Sequence, residues 1–376
     1  MRPARPVVPL RMTGGSLCTG YGGLDLAVHA LLPDLNLRWM SEIDKDAAAV
    51  LAARFPGVPN IGDLIVADPE PVDVLTAGFP CQPVSQAGRR KGLHDERWLW
   101  DDIADLVGRM DPRPRMLLLE NVPGLLTANR GDAMARVVHR LAELGYVGSW
   151  RTLRASDVGA CHRRARVFII ATLADSGGER RREASGSATG DEGSDGRADA
   201  DHEPGGVGEG RLLPTPTANQ DKGPGHEGRA GGLNLQTAVA LLPTPRANAD
   251  RTSRKALVEN QQWSAPSLAQ AVELADGILP REFRTWDEVP GHSRAMGWGD
   301  YADAIARHAA VTGAEPPPPT VGKRLNPVFV EWMMMLPAGW VTDVDISHTA
   351  KLRILGNGVV PPQAAAAYTS LLGGCA

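Results

Sequence analysis

The residues Gly78-Phe79-Pro80-Cys81-Gln82-Pro83-Val84-Ser85 directly follow an alternating apolar run at residues 72–77. The apolar run predicts a strand, and the two prolines around the cysteine restrict φ and exclude a helix. The cysteine is therefore predicted just beyond the strand end, where open α/β sheets bind their ligands. An isolated cysteine is most often a small buried apolar residue. Between two prolines on such a loop, Cys81 is instead predicted to be a functional thiol.

Four further motifs accompany this octet, at residues 17–24, 120–122, 162–166 and 355–361. Together the five resemble the motifs of the DNA (cytosine-5)-methyltransferases of bacterial or phage type, in the order of that family. The resemblance implies the class I S-adenosyl-L-methionine-dependent methyltransferase fold, an α/β fold with a Rossmann-like, mostly parallel sheet and helices on both faces. It also implies a smaller, irregular target recognition domain.

The composition of the chain excludes several other classes of protein. Its 376 residues include 43% apolar residues, 42 glycines and 30 prolines, which allow a full core with many loops. No apolar run approaches membrane-spanning length, and the first 13 residues lack the apolar core of a signal peptide. The four cysteines show no metal-binding spacing, so no metal is expected. We expect a reduced, cytoplasmic protein without membrane contact, associated with the nucleoid through DNA.

The distribution of charge suggests how the domains are arranged. The formal net charge is −4, but residues 175–211 alone contain ten acidic and five basic side chains, with no apolar periodicity. We predict a flexible or disordered linker at 174–211. The catalytic domain is expected at 13–173 and again at 324–376, and the target recognition domain at 212–323.

An internal repeat lies in the predicted target recognition domain. Residues 212–219 read Leu-Leu-Pro-Thr-Pro-Thr-Ala-Asn, and residues 241–248 read Leu-Leu-Pro-Thr-Pro-Arg-Ala-Asn. Two copies are too few for a solenoid. They are predicted to form equivalent loop and strand edges of one small domain.

A glycine-rich turn between a predicted strand and helix indicates where a cofactor would bind, because glycines let the backbone approach a ligand at a helix N-terminus. Glu42, about twenty residues later, is placed to accept hydrogen bonds from ribose hydroxyls. The resemblance implies that Asp63 meets the adenine amino group. The family has an acid at the position of Ser16 and an aromatic residue at that of Cys18. The cofactor-binding residues implied are Leu17, Cys18, Gly20, Gly22, Gly23, Leu24, Glu42, Ile43, Asp63, Leu64, Pro80, Asn357 and Val359.

The resemblance also assigns the chemistry. Cys81 adds to C6 of cytosine, while Glu120, kept protonated by burial, stabilises charge at N3. Arg164 is expected to donate to the O2 carbonyl of the base, and Arg166 to support it. His162 replaces the glutamine of the family pattern Gln-x-Arg-x-Arg. The residues expected to contact DNA are Gln82, Ser85, Arg89 and Arg90.

Several of these residues have a second interpretation. Glu42 could cap the helix predicted at residues 45–55, Glu120 could form a surface ion pair, and Asn357 could cap the last helix. The basic residues 89–91 could form a solvated surface.

The enzyme expected from these motifs methylates a flipped-out cytosine in a specific double-stranded DNA sequence. Two alternatives stay open: a tRNA cytosine-5 methyltransferase, and a DNA-binding homologue that has lost catalysis. The Pro-Cys-Gln sequence and the large middle section favour DNA. A monomer is expected, with a cognate restriction endonuclease as a possible partner.

Overall fold

The computed structural model describes residues 11–80, 98–174, 212–218, 235, 298–322 and 324–373. The chain divides into two compact units. The first contains Met1–Trp150 and Phe168–Glu179, and the second contains Arg151–Val167 and Arg180–Ala376. In the part of the chain that is described, no helix has the length and apolar character needed to span a membrane.

Six strands form one sheet in the order β2-β1-β3-β4-β6-β5. Their bounds are Thr13–Leu17 (β1), Asn36–Ser41 (β2), Val74–Gly78 (β3), Met116–Asn121 (β4), Tyr146–Leu153 (β5) and Arg166–Leu173 (β6). β1 pairs in parallel with β2 and β3, and β3 pairs in parallel with β4. At the end of β6, the Leu173 N–H donates to the Arg115 carbonyl, just before β4. The next N–H, of Ala174, donates to the Gly145 carbonyl, just before β5, so β6 runs against both neighbours. The predicted mostly parallel sheet is confirmed.

Five helices lie between the strands of the first unit. They are α1 (Gly23–Leu31), α2 (Lys45–Arg54), α3 (Trp100–Arg109), α4 (Gly124–Thr127) and α5 (Asp132–Glu143). The amphipathic helices α3 and α5 bury apolar side chains such as Ile103 and Val137. Ion pairs join their outer faces, from Arg136 to Asp101 and from Arg140 to Asp105. These helices follow the apolar periodicity of the sequence closely.

The second unit contains four helices and one short hairpin among its described residues. The helices are α6 (Ala302–Thr312), α7 (Pro327–Met333), α8 (His348–Asn357) and α9 (Pro361–Gly373), and the antiparallel strands are β7 (Thr320–Val321) and β8 (Arg324–Leu325). Asn326 caps α7, and its side chain accepts from the Val328 N–H. Proline at the first position of α7 supports the same helix start.

A buried carboxylate organises the chain after α7. Glu331 is 1% exposed, and its Oε2 accepts from the Gly339 N–H at 2.7 Å. Its Oε1 accepts from the N–H groups of Val341 and Thr342, and the Thr342 hydroxyl donates to Oε2. A carboxylate with four donors is well satisfied although it is buried. Glu331 therefore holds the connection between α7 and α8 in place.

We predict that Glu331→Gln lowers the free energy of unfolding by about 2–3 kcal/mol, because an amide NH2 group then faces backbone donors inside the core. Urea unfolding followed by circular dichroism measures this change. Glu143→Gln, at an exposed position of α5, is the matched control and should leave the unfolding midpoint nearly unchanged. Equal midpoints for the two variants would contradict the role given to Glu331.

Candidate active site

The described part of β3 ends in the residues that lead into the cysteine loop. Phe79 is buried, and its ring packs against Trp100 at 5.3 Å and edge-on against Trp98 at 6.4 Å between ring centroids. The Asn121 side-chain amide donates to the Phe79 carbonyl at 3.0 Å. The end of β3 is thereby fixed to the end of β4 just before Pro80. The residues Cys81, Gln82, Ser85, Arg89 and Arg90 lie outside the described residues.

Glu120 lies at the carboxyl end of β4, in register with Gly78 of β3. Its side chain is only 7% exposed, so the interpretation as a surface ion pair is wrong. The carboxyl lies close to the Gly78 backbone, since a Cβ added there would lie in van der Waals contact with Glu120 Oε2, at 3.5 Å. The pairing thus places a buried carboxyl opposite the last residue of β3, which is followed by Phe79 and Pro80.

The glycine-rich turn connects β1 to α1 and contains two left-handed glycines. Gly20 has φ 59° and Gly22 has φ 82°, a region in which glycine has no steric cost. The Gly20 N–H donates to Glu42 Oε2 at 2.8 Å, and Glu42 Oε1 accepts from the Asp44 N–H. The helix cap of α2 is Asp44, which accepts from Asp46 and Ala47 N–H groups. The interpretation of Glu42 as the cap is therefore wrong.

The surroundings of Glu42 fit an adenosyl group. Ile43 is 76% exposed, which is unusual for a large apolar side chain beside a crevice and leaves a surface for a flat ring. Asp63 is exposed and accepts from the Ile65 N–H, so its carboxylate is oriented outward by its own loop. A Cβ on Gly20 would meet no atom within 4 Å, so space remains above the turn. Carboxylates beside an open glycine turn suit ribose hydroxyls and an adenine amino group.

The remaining residues predicted near the turn contribute backbone and packing. Three of them, Leu17, Leu24 and Leu64, bury their side chains in the core, and the backbone of Gly23 is also buried. Cys18 adopts a left-handed φ of 51° without being glycine. Burial and the nearby Glu42 carboxylate raise the pKa of the Cys18 thiol to about 12, so Cys18 stays protonated at neutral pH.

A buried carboxyl that the sequence reasoning missed lies beneath the same turn. The Ser16 hydroxyl donates to Asp25 Oδ2 at 3.0 Å, and the Thr76 hydroxyl donates to Oδ1 at 3.1 Å. Burial raises the pKa of Asp25 to about 6. Where the family pattern has an acid at the position of Ser16, this chain places one opposite, in the first turn of α1. The signal in the sequence that could have identified it was an acidic residue on the apolar face of α1.

Arg164, in the second unit, is buried among backbone carbonyls. Its side chain is 2% exposed, and Nη1 donates to the Pro216 carbonyl at 2.8 Å. Nη2 donates to the carbonyls of Gly356 and Gly358. Both Nη atoms thus donate to backbone, and the donation to a base that the resemblance implies stays a prediction. Arg166, at the start of β6, is half-buried, and its Nη1 donates to the Ala165 carbonyl.

His162 and His308 attach the Arg164 loop to the end of α7. His162 Nε2 lies 2.9 Å from the Met333 carbonyl and His308 Nε2 lies 2.8 Å from the Trp332 carbonyl, so each Nε2 carries the hydrogen. His308 Nδ1 accepts from the Cys161 N–H. Burial lowers the pKa of each histidine to about 3, so both stay neutral. His162 therefore acts as a neutral donor that orients the loop.

Asn357 is the last residue of α8, and it is exposed, whereas Val359 is buried. The final helix begins at Pro361, four residues later, so the interpretation of Asn357 as its cap is wrong. The flanking carbonyls of Gly356 and Gly358 are the two that Arg164 binds. The backbone on both sides of Asn357 is fixed while its amide faces outward.

A mostly parallel sheet, a glycine turn after its first strand and an acid at the end of its second strand together define a class I methyltransferase fold. A crystal structure of a Spodoptera frugiperda DNMT2 mutant has this fold, with a TM-score of 0.50 and 15% identity over 96% of this chain and 99% of that chain. A family model for C-5 cytosine-specific DNA methylase matches residues 12–372. The chain belongs to that family.

Curated relatives match this chain over part of its length. The chain is 38% identical to the type II methyltransferase M2.BsuMI of Bacillus subtilis over 162 residues, 42% of this chain and 41% of that protein. It is 40% identical to M.DsaV of Dactylococcopsis salina over 158 residues, 41% of this chain and 44% of that protein. The matched stretch thus spans about two fifths of each relative.

The two neutral histidines predict how stability depends on pH. As pH falls below 6.5, the unfolded chain binds protons at both imidazoles, while the folded chain does so only near pH 3. Stability should therefore fall with pH across this window, by about 1.4 kcal/mol per pH unit for each histidine. Urea unfolding measures the free energy of unfolding at each pH. Between pH 6 and 4, this free energy should change less steeply with pH in His162→Gln than in the wild type, by the contribution of one histidine.

His29→Gln, at an exposed position of α1, is the control for replacing an imidazole by an amide. A slope in His162→Gln that equals that of the wild type would show that His162 is not held neutral by burial.

Proposed function

We propose that this protein transfers a methyl group from S-adenosyl-L-methionine to C5 of a flipped-out cytosine in double-stranded DNA. The observation that carries the proposal is the pairing of Gly78 with Glu120, which sets a buried carboxyl beside the strand that leads into Pro80-Cys81. Methylation of cytosine at C5 requires a thiol and a protonated carboxyl close together, and we propose that two neighbouring strand ends supply them. Membership of the C-5 cytosine-specific DNA methylase family supports the same reaction.

The chemistry follows from the weak nucleophilicity of C5. Cys81 as thiolate forms a bond to C6, and Glu120 donates a hydrogen bond or proton at N3, so that C5 gains enamine character. When bound, S-adenosyl-L-methionine supplies the methyl group that C5 accepts. A base then removes the C5 proton, the C6–Sγ bond breaks, and the thiolate leaves.

The residues proposed to hold the cofactor are those around the glycine turn. Gly20 and Gly22 leave its surface open, Glu42 is oriented by the Gly20 N–H, and Ile43 and Asp63 are exposed beside it. Glu42 keeps unused lone pairs for ribose hydroxyls, since each carboxylate oxygen accepts more than one hydrogen bond. Asn357 and Val359 of the second unit are proposed from the family pattern.

The two arginines are proposed to divide their roles. Arg164 has the supporting role, because its Nη atoms donate to three backbone carbonyls and so shape the loop. Arg166 is half-buried and is the arginine that we propose for the O2 carbonyl of the base. This exchanges the roles that the sequence pattern suggested.

We further propose that the DNA is contacted by Gln82, Ser85, Arg89 and Arg90, and that the protein works as a monomer. A cognate restriction endonuclease is proposed because the curated relatives are type II methyltransferases.

We predict that Cys81→Ser abolishes measurable methyl transfer, because a hydroxyl adds poorly to C6, and that Glu120→Gln lowers the rate by about 10²–10⁴-fold. Transfer of tritium from labelled cofactor to DNA and to tRNA, in parallel, measures both variants. Cys375→Ser is the matched control and should keep wild-type activity.

Wild-type protein should also form a covalent complex with DNA that contains 5-fluorocytosine, because fluorine cannot leave as the C5 proton does. Label in tRNA but not DNA would favour the tRNA alternative. Binding of DNA without any transfer would favour a homologue that has lost catalysis.

The middle section, residues 212–323, is proposed to choose the DNA sequence, with residues 174–211 as a linker. A flipped cytosine looks the same in every site, whereas its neighbours are distinguished by base-edge contacts of about 1–3 kcal/mol each. The described ends of this section accept hydrogen bonds from the loop that carries Arg164, through Thr215 at one end and His308 at the other. A chimera should therefore keep both ends.

We predict that exchanging residues 219–297 for the corresponding section of a relative with a different site transfers that relative's specificity. Bisulfite sequencing of DNA from cells that express the chimera measures which cytosines are methylated. Deleting residues 175–211 with a short Gly/Ser connection is the control and should keep the original site. Retention of the original site by the chimera would place recognition elsewhere.

A further inference from the structure

The first copy of the internal repeat pairs with the loop that carries Arg164. The Leu213 N–H donates to the Cys161 carbonyl at 2.8 Å, and Leu213 forms a parallel bridge with His162. Leu213 is 2% exposed, so its side chain is part of the core of the second unit. The segment at residues 212–218, which we call the anchor segment, is thus attached to the loop by backbone pairing and by apolar burial.

Arg164 connects the anchor segment to the turn around Asn357. The Arg164 N–H donates to Thr215 Oγ1 at 3.2 Å, and Nη1 donates to the Pro216 carbonyl at 2.8 Å. Nη2 of the same guanidinium donates to the carbonyls of Gly356 and Gly358. Hydrogen bonds from a charged donor are stronger than neutral ones, and the planar guanidinium fixes their relative directions. Because Arg164 binds both the anchor segment and the turn around Asn357, a displacement of the anchor segment also displaces the donor that holds this turn.

The anchor segment also touches the turn directly. A Cβ added to Gly356 would lie 2.2 Å from the Thr217 carbonyl carbon and 2.4 Å from the Ala218 nitrogen. These are backbone atoms that cannot swing aside like a flexible side chain. Glycine at 356 is thus required for the anchor segment to lie against the end of α8.

We propose that the anchor segment is a positioning element for cofactor binding, with Thr215 as its key residue. Thr215 and Pro216 fix Arg164, and Arg164 fixes the carbonyls on both sides of Asn357. Because Asn357 is itself exposed, its orientation depends on this flanking backbone. Preorganised groups bind a ligand more tightly than groups that must be ordered on binding. The proposal rests on the proposed function, in which Asn357 contacts S-adenosyl-L-methionine.

The second copy of the repeat supplies a matched control. Thr244 occupies the same place in Leu-Leu-Pro-Thr-Pro as Thr215, and it lies outside the described residues. The role assigned here belongs to the first copy alone. Thr215→Val removes the oxygen that accepts from Arg164 and keeps the branched shape, while Thr215→Ser keeps the oxygen.

Isothermal titration of the full-length protein with S-adenosyl-L-methionine, without DNA, tests the proposal. We expect Thr215→Val to weaken cofactor affinity about five- to tenfold, because the turn around Asn357 must then be ordered when the cofactor binds. Thr215→Ser and Thr244→Val should stay close to the wild type. Gly356→Ala should also weaken binding, because it separates the same two segments from the opposite side.

Thermal unfolding of the cofactor-free variants separates positioning from general stability. A lower Tm in Thr215→Val with unchanged cofactor affinity would overturn the proposal, and so would equal weakening by Thr244→Val. Wild-type protein that binds no cofactor would refute the proposed function itself, and this role with it. Weakening by Thr215→Val and Gly356→Ala, with affinity kept in the serine variant, would support it.

Discussion

The parallel register of β1, β3 and β4 is the constraint on which the first unit depends. Leu17 pairs with Ala77, Ala77 with Leu119, and Gly78 with Glu120. Parallel strands in register end at one edge of the sheet, so residues far apart in sequence reach the same edge. The glycine turn follows β1, Pro80 comes shortly after β3, and Glu120 is the second-last residue of β4. Apolar strands buried in the sheet make a slip of register costly.

The second unit depends on buried polar side chains that are satisfied by backbone. Arg164 donates to three carbonyls, and Glu331 accepts from three N–H groups. His162 and His308 donate to the carbonyls of Met333 and Trp332 in the last turn of α7. Such groups are costly to bury unless every donor finds an acceptor. They therefore specify one arrangement of loops that have little regular structure of their own.

Two departures from the family pattern have local explanations in the fold. Asp25 places a carboxyl against Ser16, so a carboxyl is still present beneath the glycine turn although position 16 has none. His162 keeps a neutral N–H donor where the family has an amide, and burial holds it in that form. In both places a group of the same hydrogen-bonding chemistry is present, while its residue type or sequence position differs.

The sequence by itself determined the mostly parallel sheet, the helix that follows Glu42 and the acidic residue at the end of β4. Proline restricts φ and apolar periodicity is local, so the loop after Gly78 and the carboxyl at Glu120 could be predicted from short windows. The second interpretations of Glu42 and Asn357, as helix caps, depended on the conformation of the neighbouring backbone, and they were wrong. Asp44, two residues after Glu42, formed the cap in the first case, and Asn357 was the last residue of a helix in the second.

Only the tertiary structure decided the partners of Arg164, Asp25 and His162. The Arg164 side chain meets Pro216 and Gly356, 52 and 192 residues further along the chain. A sequence shows that an arginine can donate, but the packing of distant segments decides which acceptors are within reach. Hydrogen bonds need their atoms within a few tenths of an ångström of ideal separation, and that precision exists only once the chain has folded.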